Sequence, residues 1–144
     1  MSLEFVKPAG VDDDDSDFAS ITENISAGDQ YMDTREFSDA ESSYNSALVT
    51  AFDFYGALSP VLLPIILKVV DAQLADCQDE DHFAHLTRSL QRALAIAQLK
   101  FGPESQELIP IIEKMIAVYD LQGAHMLSAE LLQRLQVLNE TAQG

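Results

Sequence analysis

The sequence predicts an all-α protein, an α-solenoid of three antiparallel helix hairpins with six helices. Apolar residues recur at intervals of three and four from Asp17 onward, which indicates helices. A proline-marked apolar phrase occurs twice, as LLPIILKVVDA (62–72) and LIPIIEKMIAV (108–118), which indicates an internal repeat. No alternating stretch is long enough to make a convincing strand.

Turn signals divide the chain into six helical segments, each long enough for several turns. Short connections between consecutive helices favour antiparallel hairpins. The first segment carries a stripe of Ile21, Ile25, Gly28 and Tyr31. The predicted breaks are DTRE (33–36), YGALSP (55–60), DCQDED (76–81), FGPES (101–105) and LQGAH (121–125).

The repeat has a spacing of 46 residues, because Gly56 precedes Gly102 and Pro64 precedes Pro110 by this distance. Repetition at this period is typical of a helical solenoid, in which each hairpin covers the apolar face of its neighbour. We therefore expect repeat units at about 17–56, 57–102 and 103–142. Proline is tolerated in the first turn of a helix, so both prolines should mark helix beginnings.

Ser59 and Ser105 precede the two prolines and are good helix N-cap residues. We expect them to satisfy backbone amides that have no partner within the helix. The helix that contains Pro64 should bury Ile66, Val69 and Val70.

Composition limits the classes of partner. The 144 residues suit one folded domain (17–144), preceded by a flexible acidic tail (1–16) that contains Asp12 to Asp15. The formal charge of -16, from 24 acidic and 8 basic residues, disfavours nucleic acid and anionic membranes and favours a basic protein or peptide. No secretory or membrane-spanning segment is present in the sequence, so we expect a cytoplasmic location by default.

The first unit has a series of glycine, aromatic, alanine, aromatic and alanine residues: Gly28, Tyr31, Ala40, Tyr44 and Ala47. With this series at this spacing, the unit resembles the tetratricopeptide repeat (TPR), most closely the long-period form of kinesin light chains. Ser128 and Leu135 replace family alanines in the third unit, where the helix crossing should be looser.

The resemblance implies a right-handed α-solenoid and a scaffold that binds a peptide or helix of a partner in its concave groove. Some members of the family bind the C-terminal carboxylate of a chaperone. The carboxylates of the groove in this chain would repel such a group, so this activity is disfavoured. When the repeat phase of the family is applied to this sequence, the following residues are expected to line the groove: Ile25, Asp29, Met32 and Asp33 from the first unit, Leu67, Asp71 and Leu74 from the second, and Glu113, Ala117 and Asp120 from the third.

Motifs for catalysis or metal binding are weak. There is no nucleophile elbow, phosphate-binding glycine loop or zinc helix, so we expect no enzyme activity and no cofactor. The acid spacing from Asp12 to Glu23 lacks the glycine of a calcium loop. Cys77, His82 and His85 have no metal-ligand spacing, so no metal is expected.

The aromatic residues at helical spacing are expected to fill the core. They include Phe37, Tyr44, Phe52, Phe54, Tyr55, Phe83, Phe101 and Tyr119.

An alternative function is structural: the chain would be a segment of a larger solenoid or a self-associating, homodimeric subunit. Four leucines lie along SAELLQRLQVLNE of the last helix, and an uncovered apolar stripe there would favour self-association. These are Leu131, Leu132, Leu135 and Leu138.

Overall fold

The computed structural model describes the backbone of residues 16–76 and 80–143. The acidic segment Asp12 to Asp15 and Cys77 lie outside the described residues. The expected acidic tail and most of the calcium-loop spacing therefore lie there as well.

The described residues form six α-helices and no strand, which confirms the all-α class and the number of helices. Most helix boundaries fall in or next to a predicted break, whereas the fifth helix begins four residues after the break FGPES (101–105). The helices are α1 (Ser16–Asp33), α2 (Phe37–Tyr55), α3 (Leu62–Ala75), α4 (Glu80–Phe101), α5 (Ile109–Gln122) and α6 (His125–Gln143).

Two compact units make up the chain: unit 1, Met1–Cys77, and unit 2, Gln78–Gly144. In unit 1, α2 contacts both α1 and α3. In unit 2, α5 contacts both α4 and α6. Consecutive helices therefore pack on one another within each unit.

Helix α3 is the most apolar element of unit 1, and ten of its residues are buried. A helix that is apolar on all sides belongs in the interior. The predicted burial of Ile66, Val69 and Val70 is confirmed. Pro64 is the third residue of α3 and Pro110 the second of α5, so both prolines mark helix beginnings, as predicted.

The turns before α3 and α5 repeat the same backbone geometry at the predicted spacing of 46 residues. Gly56 and Gly102 end their helices at φ of +97° and +95°, a conformation that favours glycine. The amide of Ser59 donates to the carbonyl of Gly56 at 3.4 Å, and that of Ser105 to Gly102 at 3.3 Å. The sequence repeat is thus also a structural repeat of this turn.

Both serines cap the turn that follows them, whereas the N-cap residues of α3 and α5 are Val61 and Leu108, which corrects the prediction that the serines cap these helices. Ser59 Oγ accepts a hydrogen bond from the amide of Val61 at 3.3 Å, and Ser105 Oγ accepts one from Glu107 at 3.1 Å. After Ser105 the chain forms a 3-10 turn, Gln106–Leu108, before α5 begins. The serines therefore satisfy amides ahead of the α-helix, and the prolines enter its first turn.

The connection from α1 to α2 has the same backbone geometry as the connection from α5 to α6. The amide of Glu36 donates to Tyr31 and that of Ala124 to Tyr119, both at 2.8 Å. Each preceding residue has positive φ: +61° at Arg35 and +77° at Gly123. This is the Schellman arrangement, in which the last helical carbonyls find amide partners. It recurs 88 residues later, from Arg35 to Gly123.

Candidate functional site

Tyr44 lies at the centre of the packing between α1 and α2. Its side chain is 2% exposed, and its ring covers Gly28 of α1. A Cβ atom at residue 28 would come closer than 3.0 Å to three carbon atoms of the ring. Glycine at this position therefore lets the tyrosine ring reach the backbone of α1.

The hydroxyl of Tyr44 belongs to a polar cluster that joins the three helices of unit 1. It donates a hydrogen bond to Asp29 Oδ1 of α1 at 2.5 Å. The same oxygen accepts a charge-assisted hydrogen bond from Lys68 Nζ of α3 at 2.9 Å. Lys68 Nζ also lies 5.6 Å from the centroid of the Tyr44 ring, within range of a cation–π interaction. We call Asp29, Tyr44 and Lys68 the Tyr44 cluster.

The pKa of Tyr44 is raised well above its ordinary value. Burial is the main cause, because it disfavours the phenolate. The hydrogen bond to Asp29 and the negative charges of Asp29, Asp71 and Asp33 raise the pKa further. The carboxylates of α1 and α3 therefore act on one buried phenol.

Four further predicted groove residues belong to α1 and α3 of unit 1, and two of them, Asp33 and Asp71, act on Tyr44. Asp33 and Asp71 are exposed, and Met32 and Leu74 are half-buried. We call Met32, Asp33, Asp71 and Leu74 the acidic face of unit 1. It offers exposed carboxylates beside partly accessible apolar side chains.

Two other predicted groove residues, Ile25 and Leu67, are buried, at 9% and 8% exposure. They form part of the core, which corrects the expectation that they contact a partner. The apolar composition of α3 explains Leu67, because almost every position of this helix is covered. Asp29, also predicted for the groove, has a 49% exposed side chain that already binds Tyr44 and Lys68.

The predicted groove residues of α5 belong to unit 2. Glu113, Ala117 and Asp120 are all exposed. Asp120 Oδ1 lies 3.7 Å from Nδ1 of His125, a distance at which a protonated imidazole forms an ion pair. These three residues are accessible, as a binding surface requires.

Two contacts that shape unit 1 were not predicted. One is the pairing of Lys68 with Asp29, which is distant from it in the sequence. Gln73 is buried in α3, and its Nε2 donates to Glu41 Oε1 of α2 at 3.1 Å. A glutamine on an apolar helix is the only signal that could have indicated such a contact.

The expectation that the aromatic residues fill the core is corrected in part. Tyr44 and Tyr119 are buried, whereas Phe52 and Phe54 near the end of α2 are exposed. Phe54 instead packs edge-to-face on Tyr55, with ring centroids 4.8 Å apart. Helical spacing alone did not indicate which face is buried and which is exposed at the end of α2.

The four leucines predicted to form an apolar stripe on α6 are not all uncovered. Leu138 is buried, Leu131 and Leu135 are half-buried, and Leu132 is exposed. Part of the predicted stripe is thus covered, although Met126 and Val137 of the same helix are also exposed.

Within residues 16–76 and 80–143, no group of three or more histidine, cysteine, aspartate or glutamate side chains could hold a metal ion. Among the helices of the described segments, none is long and apolar enough to cross a membrane.

Comparisons with known proteins identify no relative: no family model, no curated protein and no solved structure matches the chain.

Proposed function

We propose that this protein is a TPR-like interaction module, a right-handed solenoid of three helix hairpins that binds a basic, partly apolar segment of another protein. The repeated turns at Gly56 and Gly102 and the contact between Gly28 and Tyr44 support the repeat assignment. The acidic face of unit 1 supports the class of partner.

The observation that carries the proposal is the convergence of carboxylates from α1 and α3 on Tyr44. Asp29, Asp33 and Asp71 all raise the pKa of this phenol, so their negative potentials overlap. The one basic residue of the Tyr44 cluster, Lys68, is bound to Asp29. The exposed carboxylates of Asp33 and Asp71 add negative charge to this face, which attracts lysine or arginine.

The partner segment also needs apolar side chains. Met32 is adjacent to Asp33, and Leu74 lies one helical turn beyond Asp71. Both are half-buried, so each offers part of its side chain for contact. Methionine adapts its shape to different partners, which suits an interaction surface.

Selection from a phage-displayed library of helical peptides tests this proposal. Peptides selected on the wild-type chain should contain lysine or arginine next to leucine or methionine. Their association rate at low salt should fall about tenfold in Asp33→Asn/Asp71→Asn, because electrostatic steering acts on association.

The matched control is Glu23→Gln/Asp53→Asn, which removes the same charge from exposed positions of α1 and α2. Neither control residue acts on Tyr44. Circular dichroism verifies that both double variants are folded. Selected peptides without basic residues, or equal rates in the two double variants, would contradict the proposal.

A further inference from the structure

Unit 2 contains an open cavity of about 610 Å³ between α4, the end of α5 and the start of α6. Cavities that hold small molecules are typically about 300–1,000 Å³. Thr87, Arg88 and Gln91 line it from α4, Tyr119 and Gln122 from α5, and Leu127 from α6. Its volume is in the range of small-molecule sites, and its lining is more polar than apolar.

The charge of this cavity is opposite to that of the whole chain. Arg88 lines it and no aspartate or glutamate does, although the chain has 24 acidic and 8 basic residues. Within the part of the chain that the structure describes, Arg88 makes no hydrogen bond or ion pair. Its planar guanidinium is thus available to bind an anion through two parallel hydrogen bonds.

Further donors surround Arg88. Gln91 lies one turn after Thr87, so both side chains lie on one face of α4. Gln91 Nε2 donates to the hydroxyl oxygen of Tyr119 at 3.5 Å, which is long for a hydrogen bond. The proton of the Tyr119 hydroxyl can still be donated to a ligand. Leu127, which is 48% exposed, forms part of an apolar wall.

We propose that this cavity binds a small organic monocarboxylate with a short apolar part. The carboxylate pairs with Arg88, and the amides of Gln91 and Gln122 and the Tyr119 hydroxyl surround its oxygen atoms. The apolar part lies against Leu127. A single guanidinium balances one negative charge, whereas a phosphate dianion would add uncompensated charge to an already acidic chain.

The site lies in unit 2 and is independent of peptide binding at the acidic face of unit 1. It therefore goes beyond the proposed function, and either proposal can fail without the other.

Nuclear magnetic resonance titration of the full nitrogen-labelled chain with isovalerate tests the site. We expect saturable shifts of the backbone amide signals of Arg88, Gln91 and Tyr119. Isovaleramide, the neutral analogue, should bind at least about tenfold more weakly, because a hydrogen-bonded charge pair is lost. Inorganic phosphate should also bind more weakly than isovalerate.

Arg88→Gln should weaken isovalerate binding by about tenfold or more, and Arg88→Lys by less, because lysine keeps the charge but not the planar fork. The matched control is Lys100→Gln, which removes the same charge from an exposed residue of α4 outside the cavity. Its affinity should stay within about twofold of the wild type, since screened surface charges contribute little. An absence of saturable shifts, equal binding of isovaleramide or phosphate, or equal effects of Arg88→Gln and Lys100→Gln would overturn the proposal.

Discussion

The first and last helix pairs share a turn but differ in the side chains between their helices. Arg35 and Gly123 end α1 and α5 in the same backbone arrangement, 88 residues apart. At matching positions further along, α2 has Tyr44 at 2% exposure and α6 has Leu132 at 46%. The same turn therefore leads to a closed contact in unit 1 and a more open one in unit 2.

Small residues explain the closed contact. Gly28, Ala40 and Ala47 are buried and let α1 and α2 approach each other around the Tyr44 ring. At the matching positions, unit 2 has larger residues: Ile116, Ser128 and Leu135. Larger side chains hold backbones apart, and a second cavity of about 270 Å³ lies between α5 and α6. Turn geometry and helix packing are thus set by different residues.

The largest expected effect comes from truncating the two matching side chains. Tyr44→Ala should lower the free energy of unfolding by about 3–5 kcal/mol, because it leaves a cavity over Gly28 and removes the partner of Asp29. Leu132→Ala should lower the free energy of unfolding by less than about 1 kcal/mol, because Leu132 is 46% exposed. Urea unfolding followed by circular dichroism measures both values.

A loss of this size could unfold the chain altogether, since domains are stable by only about 5–15 kcal/mol. Tyr44→Leu keeps more of the apolar volume and should retain a measurable transition. Similar losses for the tyrosine and leucine truncations would show that the two contacts do not differ.

A smaller effect is expected at high pH. Below about pH 10 the phenol is protonated in both states, so Tyr44 adds no pH dependence. Above that pH the unfolded chain releases the proton and the folded chain retains it, because the pKa of Tyr44 is raised in the folded state. Stability should therefore fall as pH rises, by up to about 1.4 kcal/mol per pH unit from this group.

Tyr44→Phe removes the titrating group and should make the alkaline loss of stability less steep. Urea unfolding at a series of pH values compares the two chains. Equal slopes in the wild type and the variant would contradict the raised pKa.

The smallest effect tests the shared turn. Arg35→Gly should raise the free energy of unfolding by roughly 0.5–1 kcal/mol, because a side chain at positive φ is strained by more than the entropy that glycine costs. Gly123→Ala should lower it by a similar amount, since residue 123 has the same conformation. Thermal unfolding measures both. Changes of the same sign would mean that the turns are not equivalent.

Local features of this sequence predict its local structure well. Glycine, proline and serine located the turns at Gly56 and Gly102, because these residues act on their own backbone. The turn at Arg35 was predicted from DTRE although it has no glycine. The 3-10 turn before α5 was not predicted.

Side-chain contacts between distant residues were harder to predict. The pairing of Asp29 with Lys68 depends on how three helices pack, which one helical period does not specify. The exposure of Phe52 and the burial of Leu67 likewise follow from the surroundings of each helix. The repeat phase predicted that Asp33 and Asp71 are accessible. It could not predict which of the other groove residues would be buried by neighbouring helices.

The contact between Gly28 and Tyr44 also bears on the order in which the chain folds. Helix α1 contains glycine, serine, threonine, asparagine and aspartate, all poor helix formers. In proteins most of the stability of a helix comes from tertiary packing rather than from helix propensity. We therefore expect α1 to be largely non-helical until α2 provides the Tyr44 ring. The glycine that permits this close contact would thus make α1 a late helix to form.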